Sequence, residues 1–158
     1  MLSTTLEQLT LFRGLNQDQL ELIEPLLEAC HFDENTLVFE QGKQAEYFYI
    51  LVEGEVAVRY KPYDGPPITV SRVTAGGVFG WSSALGRGQY SSGAITLSKC
   101  DAYRLRGEAM RTLCEKHPDT GVVLLERLAG IIAERLSNSR NQILDMLSKG
   151  MEGAGEEG

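Results

Sequence analysis

Apolar positions recur at helical spacing through the first thirty residues. Leu9, Leu11 and Phe12 precede Asn16, a side chain suited to capping a helix. Leu20, Ile23, Leu26 and Leu27 then follow in the three- and four-residue steps of one helical face. Pro25 falls inside that pattern and marks a kink or the start of a new turn. From His31 the period shortens. Phe32, Leu37 and Phe39 read as extended chain around an Asp33-Glu34-Asn35 turn, and Gln41-Gly42-Lys43 makes another turn. Tyr47 to Leu51 is a β-rich buried run closed by Glu53-Gly54. Beyond it Val56, Val58 and Tyr60 alternate with Glu55, Ala57 and Arg59. Pro62-Tyr63-Asp64-Gly65-Pro66-Pro67 reads as a hairpin tip, since Asp-Gly supplies the positive-φ positions and the prolines stop pairing. Ile68 and Val70 resume a strand, and Ala94 to Leu97 and Cys100 to Leu105 supply two more. Short strands punctuated by frequent turns predict a sandwich or barrel rather than βαβ units. Helices, then strands, then helices is the α+β order.

The last predicted helix covers about residues 119–148. Leu125, Ala129, Ile132, Leu136, Ser139, Ile143 and Met146 step alternately by four and three residues, the spacing of a heptad seam. Some thirty helical residues would reach about 45 Å, more than one small β-domain covers. A neighbouring stripe, Leu124, Leu128 and Ile131, is placed to pack on the chain's own barrel. The seam therefore either pairs with a second copy or belongs to one amphipathic helix lying on its own domain. After Leu147 the composition turns to Gly, Glu and Ala, so residues 1–148 read as one domain and 149–158 as a flexible acidic tail.

Composition narrows the function classes. The chain has 158 residues, 42% of them hydrophobic, enough for one domain with a core. Its net charge is −7 and no basic cluster exceeds two neighbours, which argues against nucleic acid and against an anionic membrane surface as partners. No apolar run approaches the roughly 20 residues of a membrane span, and the N-terminus lacks a signal-peptide pattern. Cys30, Cys100 and Cys114 have no metal- or redox-motif spacing and read as reduced thiols of a cytoplasmic protein. His31 and His117 stand apart, without a nucleophile or ligand partner at useful spacing. No catalytic residue, no metal site and no enzyme activity are expected.

The informative motif is Gly76-Gly77-Val78-Phe79-Gly80-Trp81-Ser82-Ser83-Ala84-Leu85, followed by Tyr90-Ser91-Ser92-Gly93-Ala94. Its glycines let the backbone approach a ligand, and the Ser-Ser-Ala-Leu run reads as the first turn of a short helix whose free N–H groups suit an anion. This stretch resembles the cassette of the cyclic nucleotide-binding domain, as found in the effector half of the Crp–Fnr catabolite activator family. That cassette runs Phe-Gly-Glu-x-Ala-Leu and then Arg-Ser/Thr-Ala. Gly42 within Phe39-Glu40-Gln41-Gly42, and Phe48-Tyr49-Ile50-Leu51-Val52-Glu53-Gly54-Glu55-Val56, resemble two further glycine-anchored family motifs, so the likeness extends over roughly residues 11 to 145. It implies a β-roll, a jelly-roll-like antiparallel barrel, framed by N-terminal helices and a long C-terminal helix. It also implies a homodimer paired through that helix at Leu125, Ala129, Ile132, Leu136 and Ile143. The implied ligand is a cyclic nucleotide (cAMP or cGMP) or another small molecule, with no further cofactor required. In the family a polar residue just after an Arg-Leu pair reaches the nucleobase. Arg135-Leu136 aligns with that pair and places Ser139 and Arg140 at the contact.

Two departures change the expected chemistry. Trp81 stands where the family has its ribose-binding Glu, and Tyr90 where it has its phosphate-binding Arg. Burying a phosphate charge without a paired cation is costly, and a guanidinium is the usual partner. The candidate ligand residues Gly80, Trp81, Ser82, Ser83, Arg87, Tyr90, Ser91 and Ser92 offer hydroxyls, backbone amides and one loop cation instead. Arg87 is either a replacement phosphate ligand or a solvated loop-tip charge. Trp81 either stacks on a planar ligand or fills the ribose site itself. Ser139 either contacts ligand or sets helix register. No helix-turn-helix module follows, so DNA binding by this chain alone is not expected. The sequence thus supports a regulatory small-molecule sensor that repositions its C-terminal helix, or a degenerate, ligand-free dimerisation domain that acts with another protein.

Overall fold

Asn16 starts the first helix, α1 (Gln17–Ile23), by a reciprocal cap. Its side chain accepts from the Gln19 N–H at 2.9 Å, and the Gln19 side chain accepts from the Asn16 N–H at 3.0 Å. The computed structural model describes residues 9–157, with side chains described as far as 138 and beyond that at 140, 141, 144, 145, 147 and 148. A 3-10 turn at Thr10–Phe12 precedes α1, and a second at Glu24–Leu26 follows it. Pro25 therefore begins a new turn, where its missing N–H costs nothing.

Eight strands follow: β1 (Glu28–Phe32), β2 (Leu37–Phe39), β3 (Tyr47–Glu53), β4 (Val56–Tyr60), β5 (Ile68–Val73), β6 (Val78–Phe79), β7 (Gly93–Thr96) and β8 (Cys100–Arg106). They form two four-stranded antiparallel sheets, ordered β1-β8-β3-β6 and β2-β7-β4-β5. This is the expected jelly-roll-like arrangement, although the two sheets do not close into one continuous barrel. The strand pattern begins at Glu28, three residues earlier than the change of period at His31 suggests.

Strand β3 explains why Tyr47 to Leu51 is apolar without a break. Successive side chains point to opposite faces. Tyr49 and Leu51 enter the core between the sheets, joined by Val56, Val73, Phe79 and Ala94, while Phe48 and Ile50 enter a second core under the helices. Both faces of the strand are therefore buried. The turn after it needs Gly54, whose φ is +103° and where a Cβ would lie 2.5 Å from the Lys99 carbonyl.

Two helices complete the chain, α2 (Gly107–Lys116) and α3 (Pro118–Glu157). Helix α2 is not among the elements expected from the sequence. It packs Met110 and Leu113 into the helical core and ends at His117, whose N–H bonds the Leu113 carbonyl at 2.8 Å. On α3, Leu124 and Leu128 are buried in that core and Ile131 packs against it, the stripe expected to face the barrel. The helix continues past residue 148, so the change of composition there is not an end of regular structure. No helix among the described residues is long and apolar enough to cross a membrane.

Candidate functional site

Strand β6 delivers the chain into the cassette at Gly80, whose φ is +76°. A Cβ there would stand 3.1 Å from the Tyr47 carbonyl and 3.2 Å from the Phe39 ring, so both conformation and space require glycine. Beyond it the chain makes one hydrogen-bonded turn rather than the start of a regular helix. The Leu85 N–H bonds the Trp81 carbonyl at 3.0 Å, and the Arg87 N–H bonds the Ser82 carbonyl at 3.0 Å. The Ser83 N–H is occupied by the Gly80 carbonyl at 3.4 Å, and the Ser83 hydroxyl donates to the same carbonyl at 3.1 Å. The expected row of free N–H groups is thus partly spent inside the turn itself. Helix α2 holds the turn from behind. Arg111 donates to the Ser83 carbonyl, the Gly107 N–H bonds the Glu46 carbonyl at 3.0 Å, and any side chain at Gly107 would collide with the Ser83 backbone.

Tyr90 is turned inward and fully engaged. Its O–H donates to the Tyr47 carbonyl at 2.6 Å and accepts from the Tyr47 N–H at 3.1 Å. Its ring stacks on Phe39 with centroids 3.8 Å apart, and Phe39 continues onto Tyr49 and Phe79. Tyr49 stacks on Phe79 at 5.0 Å. Tyr47, Tyr49 and Phe48 therefore serve packing. Burial pushes the Tyr90 hydroxyl pKa up, and burial pushes that of Tyr49 up to about 12.

Trp81 packs against the helical core, and the Arg135 guanidinium of α3 lies over its ring, 4.5 Å from the centroid. Arg135 also donates through Nη2 to the Val78 carbonyl, while its Nη1 is buried without a hydrogen-bond partner. Burial pulls its pKa down to about 10, so it remains charged at neutral pH. No carboxylate of the described residues forms an ion pair with it.

These groups enclose a cavity of about 40 Å³. That is room for a water molecule, well below the roughly 300–1,000 Å³ of small-molecule sites. Of the residues expected at the site, Gly80, Trp81, Ser82, Tyr90, Ser91 and Ser92 line this cavity together. Ser83 turns back to Gly80, and Arg87 is exposed, outside the lining. Arg140 is exposed and also absent from the lining, and the Ser139 side chain lies outside the described residues. Among the described side chains of α3, the one that reaches the cavity is Arg135, one turn before Ser139. Its signal is present in the sequence, because Leu124, Leu128, Ile131 and Arg135 step by four, three and four along the barrel-facing stripe. A charge at the next position of a buried face is the anomaly that marks it.

A second, open depression of about 540 Å³ lies on the other side of Arg135, between β5, the β5–β6 turn and α3. On the seam of α3, Leu125 is 46% and Leu136 63% exposed and Ala129 is exposed. Ile132 also packs partly on the helical core, and the Ile143 side chain lies outside the described residues. His31 pairs with Asp101 on the surface, and among the described residues no group of three His, Cys, Asp or Glu side chains is arranged to hold a metal. Cys100 is buried and Cys30 and Cys114 are partly so, all three free thiols; burial pushes the pKa of Cys30 and Cys114 up.

A family model of the cyclic nucleotide-binding domain matches residues 29–117, more than half of the chain. A similar curated protein is the cAMP-activated global transcriptional regulator CRP of Pasteurella multocida, 28% identical over 128 residues, or 78% of this chain and 59% of the relative. The chain thus spans under two thirds of that relative's length. Among solved structures, a cyclic nucleotide-binding domain from Methylobacillus flagellatus superposes with a TM-score of 0.79 at 20% identity, covering 90% of this chain and 80% of that one. The regulatory subunit of a cAMP-independent protein kinase A from Trypanosoma brucei shares the fold with a TM-score of 0.69 at 17% identity, covering 80% and 45% respectively.

Proposed function

The chain belongs to the cyclic nucleotide-binding domain family, and from that premise we propose that it is a cytoplasmic, non-enzymatic regulatory module that senses a small ligand and reports it through α3. The observation that carries this reading is the position of Arg135. One side chain of the long helix lies on the cassette tryptophan, bonds the carbonyl of Val78 just before the cassette, and walls both the cavity and the open groove. A ligand that engages or displaces this guanidinium therefore biases where α3 rests on the sheets, a population shift between two helix positions. The exposed face formed by Leu125, Ala129 and Leu136 supports pairing with a second copy across a two-fold axis, which would pass that shift between subunits.

The cassette supports a ligand held differently from the family's pattern. Tyr90 brings no positive charge, and its hydroxyl is committed to Tyr47. Cyclic AMP and cyclic GMP remain the first ligands to test, by calorimetric titration and thermal unfolding of the purified protein. Ligand at a hundred times its dissociation constant stabilises the fold by about 2.7 kcal/mol, a rise of about 5–10 °C in melting temperature for a chain of this size. A folded dimer that binds neither nucleotide would favour the second reading, a dimerisation module that has lost its ligand. The small cavity, filled by Tyr90 and Trp81, is the observation on that side.

A further inference from the structure

Building on the sensor reading, we propose that the ligand is a nucleotide-sized anion bound in the open groove between β5 and α3, outside the roll, with Arg135 as the partner of its charge. The groove, at about 540 Å³, falls within the range of small-molecule sites, whereas the cassette cavity does not. One wall is the edge of β5 and the turn after it, which carry the hydroxyl-bearing residues Thr69, Ser71 and Thr74, and the other is the stretch of α3 that carries Glu134, Arg135 and Asn138. Hydroxyls and a guanidinium match an oxyanion. A carboxylate and a carboxamide match the hydroxyls of a sugar and the amine or carbonyl edge of a base.

The charge arithmetic points the same way. Arg72 on the rim is engaged by Glu55 at 3.6 Å, while among the described residues no carboxylate pairs with Arg135, whose Nη1 is unpartnered. A buried charge without a counter-ion is costly, and an oxyanion drawn to it relieves that cost. Nη1 is shielded from solvent, so binding draws the guanidinium off the Trp81 face towards the groove. Pairing of two copies along the seam would leave the site open. At about 100° per residue, Ile131, Glu134 and Asn138 face about 130–170° away from the centre of the Leu125–Leu136 seam, and Arg135 about 90°.

Trp81 is the chain's single tryptophan, so its emission reports directly on the loss of the overlying guanidinium. The experiment titrates the full chain with AMP, cyclic AMP, cyclic GMP and inorganic phosphate while following that emission. The wild type is compared with Arg135→Gln and with Thr69→Tyr, which puts a ring on the exposed wall of the groove and leaves the cassette untouched. At least one nucleotide is expected to give a saturable change, weakened about tenfold or more in both variants, with phosphate alone much weaker. If Arg135→Gln does not fold, Thr69→Tyr carries the comparison. Undiminished affinity in Thr69→Tyr would overturn the proposal by placing the ligand inside the roll, and would leave the sensor reading standing. Phosphate binding as tightly as the nucleotides, or no response to any of the four, would overturn it as well.

Discussion

Replacing Tyr90 with phenylalanine removes one oxygen from the cassette and leaves the ring stacked on Phe39. The position of that oxygen sets the size of the effect. Strand β6 pairs with β3 only at Tyr49 and Ile50, so the ladder stops before Tyr47. The Tyr90 hydroxyl completes it, accepting from the Tyr47 N–H at 3.1 Å and donating to the Tyr47 carbonyl at 2.6 Å. Without it two backbone groups lose their partner. A buried unmet group costs about 1–3 kcal/mol, and Tyr47 is half-buried, so water meets part of the loss and about 2 kcal/mol is expected for the pair. For a chain of this length that lowers the melting temperature by about 4–8 °C. Urea denaturation followed by circular dichroism should show the midpoint falling with the slope unchanged. A loss below about 0.5 kcal/mol, the size of an ordinary surface substitution, would refute the argument and leave the hydroxyl available to a ligand.

Leu136→Asp is expected to convert a wild-type dimer to monomer in sedimentation without loss of helicity; a wild type that is already monomeric at high concentration removes the premise. Leu136 is the better probe than Ile132, since Ile132 also packs on the chain's own core. The double variant Trp81→Glu, Tyr90→Arg restores the family's acid and cation and removes the two side chains that fill the cavity. Calorimetry should then detect cyclic AMP binding, and an absence of heat would mean the site does not reopen. Tyr49, with its pKa raised to about 12, contributes stability that is complete below the unfolded value near 10 and is lost as pH rises through about 12. Wild type should therefore lose about 1–3 kcal/mol relative to Tyr49→Phe between about pH 9 and 12, and parallel curves in urea denaturation would contradict the assignment.

The fold was legible because its glycines are forced. Gly54 and Gly80 occupy positive-φ turns with a neighbouring carbonyl where a Cβ would stand, and these are anchors of the motifs that carried the family resemblance. Alternation along β4 and the Asp-Gly hairpin tip marked strands whose periodicity is local. Helix α2 was missed for the opposite reason. It is ten residues long, begins directly at the end of β8 with no side-chain cap, and hides between a strand and Pro118. The site was half legible. Motif spacing grouped Trp81, Ser82, Tyr90, Ser91 and Ser92, all of which line one cavity. It did not reveal that the cavity is small, because that follows from how Phe39 stacks on Tyr90, a contact between residues fifty-one positions apart. In the motif alignment Arg135 is only a landmark for Ser139 and Arg140, although its place on the barrel-facing stripe sets it apart.

The clamp of α2 on the cassette separates two things that the ligand chemistry would otherwise tie together. Arg111 grips the Ser83 carbonyl and Gly107 lies flush on the Ser83 backbone, both on the side of the turn away from the cavity. The turn therefore keeps its form from behind, whatever side chains it shows in front. The side chain at position 81 is free to be exchanged, an acid for an indole, without loss of that turn, whereas Tyr90 is tied to the scaffold through Tyr47. Behind the turn, the constraint on sequence change falls on two residues outside the cavity lining, Gly107 and Arg111.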